Sequence, residues 1–156
     1  LSKNIGISRT DAKNIIDDYF TEFPKVREYM DISIKNARDN GYVTTILGRK
    51  RYLSDINSRN GMLRSMAERN AINAPIQGSA ADIIKKAMID VQYEIEKQGL
   101  KSKMLLQVHD ELVFDMYKEE ENILKDLVIF KMENAVKLDV PIIVDCGIGV
   151  NWLEAH

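Results

Sequence analysis

The chain has 156 residues, 45% hydrophobic and 29% charged, with a formal net charge of −2, the balance of one ordinary globular domain with a real core. No apolar run approaches the ~20 residues of a membrane-crossing helix, and the opening Leu1-Ser2-Lys3-Asn4-Ile5-Gly6 lacks the apolar stretch of a signal peptide. The single cysteine, Cys146, excludes an intrachain disulfide and a thiolate zinc cluster and points to a reducing, cytoplasmic setting.

Leu1 in place of an initiator methionine gives the expectation that the chain is a piece of a longer polypeptide. Ser8-Arg9-Thr10-Asp11 offers N-caps for a helix to about Phe20, with Ala12, Ile15, Ile16 and Tyr19 at helical spacing. Phe23-Pro24 breaks it, and Pro24 suits the first turn of a second helix that stops near Asn40-Gly41. Tyr42 to Leu47 is strand-like, Gly48 opens a turn, and Arg49-Lys50-Arg51-Tyr52 follows as a loop or a second short strand. A helical pattern from about Gly61 to Lys97 is expected to be interrupted near Pro75. Met104 to Asp115 predicts two strands joined by a tight turn, Glu119 to Leu138 an amphipathic helix, and Pro141 to Ile148 a last strand. With no repeat or linker, the pattern is α+β: helical blocks around a small antiparallel sheet. Tyr42, Tyr52, Phe114 and Cys146 are expected in the core, and Trp152 as an anchor for the tail.

Charge is unevenly spread. Arg49, Lys50, Arg51, Arg59, Arg64 and Arg69 face only Asp55 and Glu68, whereas ten acidic residues from Asp110 to Asp145 face four lysines. Such a pattern suits a phosphate-facing surface followed by a cation-holding or solvated one.

Two segments carry chemistry. In Leu105-Leu106-Gln107-Val108-His109-Asp110-Glu111-Leu112-Val113-Phe114, an imidazole and two carboxylates interrupt two apolar runs. A turn at His109-Asp110 places Asp110 at the tip and Glu111 just inside the second strand. Those carboxylates are either a solvated polar turn or a mount for a magnesium-like ion, which takes one or two carboxylates beside water and phosphate oxygens. In the second segment, Arg69, Asn73 and Gln77 recur at i, i+4 and i+8 and share one helix face, backed by Ala71, Ile72, Ala74 and Ile76. Such side chains can donate to the minor-groove acceptors common to every base pair, although a solvated polar stripe has the same spacing. Gly78, Ser79, Ala80 and Ala81 would let another backbone come close.

With both segments in view, the chain resembles the family A DNA polymerases over essentially its whole length. The resemblance rests on Gly41-Tyr42-Val43-Thr44-Thr45, Gly48-Arg49-Lys50-Arg51-Tyr52-Leu53, Ala67-Glu68-Arg69, Ile72 through Lys85 (Ile-Asn-Ala-Pro-Ile-Gln-Gly-Ser-Ala-Ala-Asp-Ile-Ile-Lys), Gln107-Val108-His109-Asp110-Glu111-Leu112 and Asn151-Trp152. Lys50 and Ser54 stand where the family more often has Arg and Pro. The resemblance implies a partial right-hand fold, with about Leu1–Ser58 in the fingers and Arg59–His156 in the palm. It implies that Asp110 and Glu111 serve a two-Mg2+ site, that His109 positions the primer terminus, and that Arg69, Asn73 and Gln77 contact the primer–template minor groove. Primer–template DNA and a deoxynucleoside triphosphate are the implied partners, in the bacterial cytoplasm at the nucleoid and away from membranes. The family's other catalytic aspartate lies in an Asp-Tyr-Ser-Gln-Ile-Glu segment that does not occur here, nor do its nucleotide-binding fingers helix, thumb or exonuclease domains. The expectation is therefore a polymerase fragment, inactive alone, whose exposed sheet edge could pair with another copy. Two other readings are a non-catalytic DNA-binding module using the Arg69 face, and a metal-dependent nuclease joining Asp110 and Glu111 to Asp82 or Asp115.

Overall fold

The computed structural model describes residues 2–155 and divides into two compact units, Leu1–Gly78 and Ser79–His156. In the first, a short helix α1 (Ser2–Ile5) precedes α2 (Arg9–Glu22). Ser8 caps α2 as its sequence predicts: its backbone is extended, and its Oγ accepts the Asp11 N–H at 3.0 Å. Pro24 then opens α3 (Pro24–Asn40) at a position where its missing N–H breaks no helical bond. Gly41 stops α3 in the left-handed region at φ 77°, its N–H bonded to the Ala37 carbonyl at 2.8 Å.

Strands β1 (Tyr42–Thr44) and β2 (Lys50–Tyr52) form an antiparallel hairpin with Val43 opposite Arg51. The strand expected to reach Leu47 stops at Thr44, because the Gly48 N–H bonds to the Thr45 carbonyl at 2.9 Å and closes the turn. Tyr52, expected in the core, is 74% exposed. It pairs across the ladder with Tyr42, so the two rings share the face opposite Val43, 5.7 Å apart. The chain returns to the interior at Leu53 and Ile56, which pack with Ala37, Val43, Ala67, Ala71 and Ala74 in the core of this unit.

Helix α4 (Gly61–Gln98) is started by Asn60, whose Oδ1 accepts the Met62 N–H at 3.0 Å. The interruption expected at Pro75 does not occur; the helix continues through it. Proline holds a helical φ, and it removes only the bond to the Ala71 carbonyl. Burial of Ala67, Ala71 and Ala74 on one face outweighs that loss.

In the second unit, Gly99 at φ 66° ends α4, with the Leu100 N–H on the Ile95 carbonyl at 3.0 Å. Strands β3 (Lys103–Val108) and β4 (Glu111–Asp115) form the predicted hairpin. One turn of 3-10 helix (Lys118–Glu120) leads into α5 (Glu121–Glu133). Val91, Ile95, Leu124 and Leu127 form a second core, with Leu100, Met104, Phe114, Met116 and Val128 packed against it. Helix α5 ends at Glu133, short of Leu138: the Asn134 side chain donates to the Phe130 carbonyl at 2.8 Å, as does the Asn134 backbone at 3.1 Å. The strand expected over 141–148 is absent, since a strand needs a ladder partner and β3 and β4 pair only with each other among the described residues. Cys146 is exposed there rather than buried. A final turn, α6 (Trp152–Ala155), is capped by Asn151, whose Oδ1 accepts the Glu154 N–H at 3.1 Å.

Candidate functional site

In the first unit, Arg69, Asn73 and Gln77 are all exposed on α4, while Ala67, Ala71 and Ala74 are buried. The helical spacing thus separates a buried alanine face from a solvent-facing polar stripe. None of the three polar side chains makes a hydrogen bond or ion pair among the described residues, which leaves a guanidinium and two amides hydrated and open to a ligand. Glu68, next to this stripe, is engaged instead by Arg38 at 2.5 Å and Arg64 at 4.0 Å. Arg64 also donates to the Ser58 carbonyl at 2.9 Å and fixes the loop that leads into α4.

Two further contacts grip the same stretch of helix. The Tyr29 hydroxyl donates to the Ile72 carbonyl at 2.9 Å, and the Arg49 guanidinium donates to the Gly78 carbonyl at 3.0 Å. A Cβ built on Gly78 would lie 2.5 Å from the Thr45 Cγ2. The close approach anticipated at Gly78 is therefore real, but a side chain of the β1–β2 turn makes it, not a backbone. Nothing in the sequence named Tyr29, Thr45 or Arg49 as partners of α4, because hairpin-to-helix pairing has no local signature.

In the second unit, Val108 pairs with Glu111, leaving a two-residue loop of His109 and Asp110. His109 has φ 52°, the positive sign a II′-type turn requires at its first central position. A non-glycine residue held there is strained by roughly 1–3 kcal/mol, a cost that recurs at functional sites. The Gln107 side chain donates to the His109 carbonyl and steadies the turn. His109 and Asp110 are exposed, and Glu111 is half-buried at the first position of β4. The Trp152 Nε1 lies 3.4 Å from the Glu111 Oε2, so the expected tail anchor rests on one of the two hairpin carboxylates.

The ladder also carries a bulge: Met104 pairs with Phe114 and Leu106 with Val113, leaving Leu105 as the extra residue. A bulge bends its strand and re-aims the residues beyond it, here those of the tip. At the hairpin's base, the Glu120 carboxylate accepts the Lys101 N–H at 2.8 Å, the Ser102 N–H at 2.9 Å and the Ser102 hydroxyl at 2.6 Å. Ser102 Oγ in turn accepts the Tyr117 N–H at 2.9 Å, tying the residue before β3 to one just after β4. The Lys101 backbone hydrogen bond is the largest influence holding the Glu120 carboxyl below its ordinary pKa, followed by the Ser102 hydroxyl.

As ligands, two carboxylates on a rigid hairpin suit a hard cation that keeps other positions for water and phosphate oxygens. Among the described residues, no group of three or more His, Cys, Asp or Glu side chains gathers to hold a metal ion. Asp115 ends β4 opposite Lys103, roughly 13 Å along the strand from Glu111 at ordinary strand rise. Asp82 is buried within α4. The arrangement therefore gives no support to the nuclease reading that would join either residue to the hairpin tip.

The sequence profile of DNA polymerase family A matches residues 1–154. The chain belongs to that family. It is 53% identical over 154 residues to DNA polymerase I of Caldicellulosiruptor bescii and 52% identical over 155 residues to that of Bacillus subtilis, in each case over 99% of this chain. The chain spans 18% of the length of these curated relatives. The solved POL domain of Pol1 from M. smegmatis, in complex with DNA primer-template and dNTP, matches with a TM-score of 0.97 at 48% identity, over 99% of this chain and 27% of that one. The α+β architecture expected from the sequence is thus that of part of a family A polymerase domain. No helix among the described residues is long and apolar enough to cross a membrane.

Proposed function

We propose that the chain works as the C-terminal part of a polymerase domain within a longer polypeptide, in template-directed nucleotidyl transfer from a deoxynucleoside triphosphate to a primer 3′-hydroxyl. The observation that carries this reading is the two-residue turn that puts Asp110 at an exposed tip with Glu111 beside it. In this reading residues 1–58 belong to the fingers and 59–156 to the palm. Asp110 and Glu111 hold Mg2+, a site completed by an aspartate outside this chain. The metal supplies charge neutralisation at the phosphates and a lowered pKa for the primer hydroxyl.

The chain's own residues bind and orient. His109, presented at the turn by its positive φ, positions the primer terminus. Arg69, Asn73 and Gln77 donate to purine N3 and pyrimidine O2 atoms in the minor groove, a check on pair geometry that is indifferent to sequence. Trp152 holds Glu111 through its indole N–H. Alone, the chain is inactive, and an open edge of the β3–β4 ribbon pairs with a second copy, which sedimentation of the isolated chain tests. The setting is the bacterial cytoplasm, at the nucleoid.

Denaturing gel analysis of the full-length enzyme with a 5′-labelled primer tests the reading. The primer should lengthen by one nucleotide only when Mg2+ and the nucleotide complementary to the template base are both present. Shortening of the primer by a site that requires Asp110, with no templated extension, would establish the nuclease reading instead.

A further inference from the structure

We infer that Arg49 is a positioning residue for Gln77, acting through the α4 backbone; this rests on the proposed minor-groove role of Gln77. Gln77 lies two residues past Pro75, in the one stretch of α4 where a proline has removed a helical hydrogen bond. A helix loosened there would let the Asn73 and Gln77 amides wander. Base-edge recognition needs donors fixed to within about 0.5 Å.

The stretch is gripped from outside at both ends. Tyr29 donates to the carbonyl of Ile72, immediately before Asn73, and Arg49 donates to the carbonyl of Gly78, immediately after Gln77. Arg49 is itself held: its N–H bonds to the Thr45 Oγ1 at 3.1 Å, and its carbonyl accepts the Thr45 N–H at 3.0 Å. The Thr45 methyl fills the space a Cβ on Gly78 would need. Glycine at 78 thus lets the β1–β2 turn seat against the helix, and the guanidinium locks the seated turn to it. A charged donor on a backbone carbonyl is among the stronger hydrogen bonds available. Lysine could keep one bond here but not the planar fork that sets direction.

A double-mutant cycle in the full-length enzyme tests this, with single-nucleotide extension from a normal primer and from one whose terminal guanine is 3-deazaguanine, lacking the N3 acceptor. Arg49→Ala should lower kcat/KM on normal DNA by about three- to tenfold, the scale of one net hydrogen bond, because Arg49 acts on the transition state only through the helix backbone. Arg49→Lys should recover part of that loss. The Arg49→Ala/Gln77→Ala double variant should be no slower than Gln77→Ala alone, and Arg49→Ala should cost nothing further on the 3-deazaguanine primer. The affinity for primer–template and its salt dependence should be unchanged.

Additive losses, or an Arg49→Ala loss of equal size on 3-deazaguanine DNA, would overturn the inference while leaving the role of Gln77 intact. A shallower salt dependence of binding would mean that Arg49 meets phosphate directly and would overturn it as well. If Gln77→Ala and the 3-deazaguanine primer both extend normally, the minor-groove reading fails and takes the inference with it.

Discussion

Gly78→Ala sets two opposed effects against each other at one site. In a helix interior, alanine is favoured over glycine by about 1 kcal/mol, so propensity alone predicts stabilisation. The added Cβ, however, would sit 2.5 Å from the Thr45 Cγ2, about an ångström inside ordinary contact. Thr45 cannot swing aside freely, because its Oγ1 accepts the Arg49 N–H and its own N–H bonds to the Arg49 carbonyl. Overpacking a held contact costs about 1–3 kcal/mol, which leaves a net loss of up to about 2 kcal/mol. The identity of the obstructing atom makes the reasoning testable. Thr45→Ser keeps the hydroxyl acceptor and deletes the methyl, so in that background Gly78→Ala should become neutral or stabilising by up to about 1 kcal/mol. Urea-unfolding midpoints of the four proteins, compared at constant m, give the answer. A stabilising Gly78→Ala in the parent, or an equal cost in both backgrounds, would refute the account of the turn seated on α4.

Glu120→Gln should weaken the hairpin's base and flatten its pH response. The Glu120 pKa is depressed on folding, chiefly by the Lys101 N–H, so its stabilisation is complete above about pH 4.3, the ordinary glutamate value, and is lost as pH falls through the lower folded-state value. Amide exchange of Ser102 and Tyr117 at pH 6 and near pH 4 reads this; protection in the glutamine variant equal to the parent's at both would contradict it. Ile56→Ala should destabilise by about 2–5 kcal/mol, since the side chain is 2% exposed in the first core. A loss under about 1 kcal/mol in the same urea assay would show that the loop is not part of the core. Trp152→Phe keeps an aromatic ring, smaller than the indole, and removes the N–H donated to Glu111. It should reduce extension rate with primer–template affinity unchanged, whereas a parental rate would show that contact to be idle.

Local chemistry made much of this legible. The Ser8 cap, the Pro24 start, the Gly41 stop and the His109-Asp110 turn each follow from what one side chain or one φ permits. The exposed Arg69, Asn73 and Gln77 stripe follows from helical spacing alone. Long-range partners were not legible. The register shift at Leu105, the Arg49 bond to Gly78 and the Glu120 clamp on Ser102 join residues far apart in sequence, with no spacing that announces them. Residues 141–148 have the composition of a strand, but pairing needs a neighbour that composition cannot supply. At Pro75, a local rule predicted a break that the burial of Ala67, Ala71 and Ala74 along the same helix overrode.

The most direct test of the catalytic assignment is single-turnover incorporation by full-length Asp110→Ala enzyme, measured beside its affinity for primer–template. A carboxylate that holds Mg2+ at the reacting phosphate predicts a rate lower by about a thousandfold or more, with affinity within about threefold of the parent, because a solvent-exposed tip residue contributes little to the fold. Incorporation at a near-parental rate would contradict the assignment of this hairpin as part of the metal site.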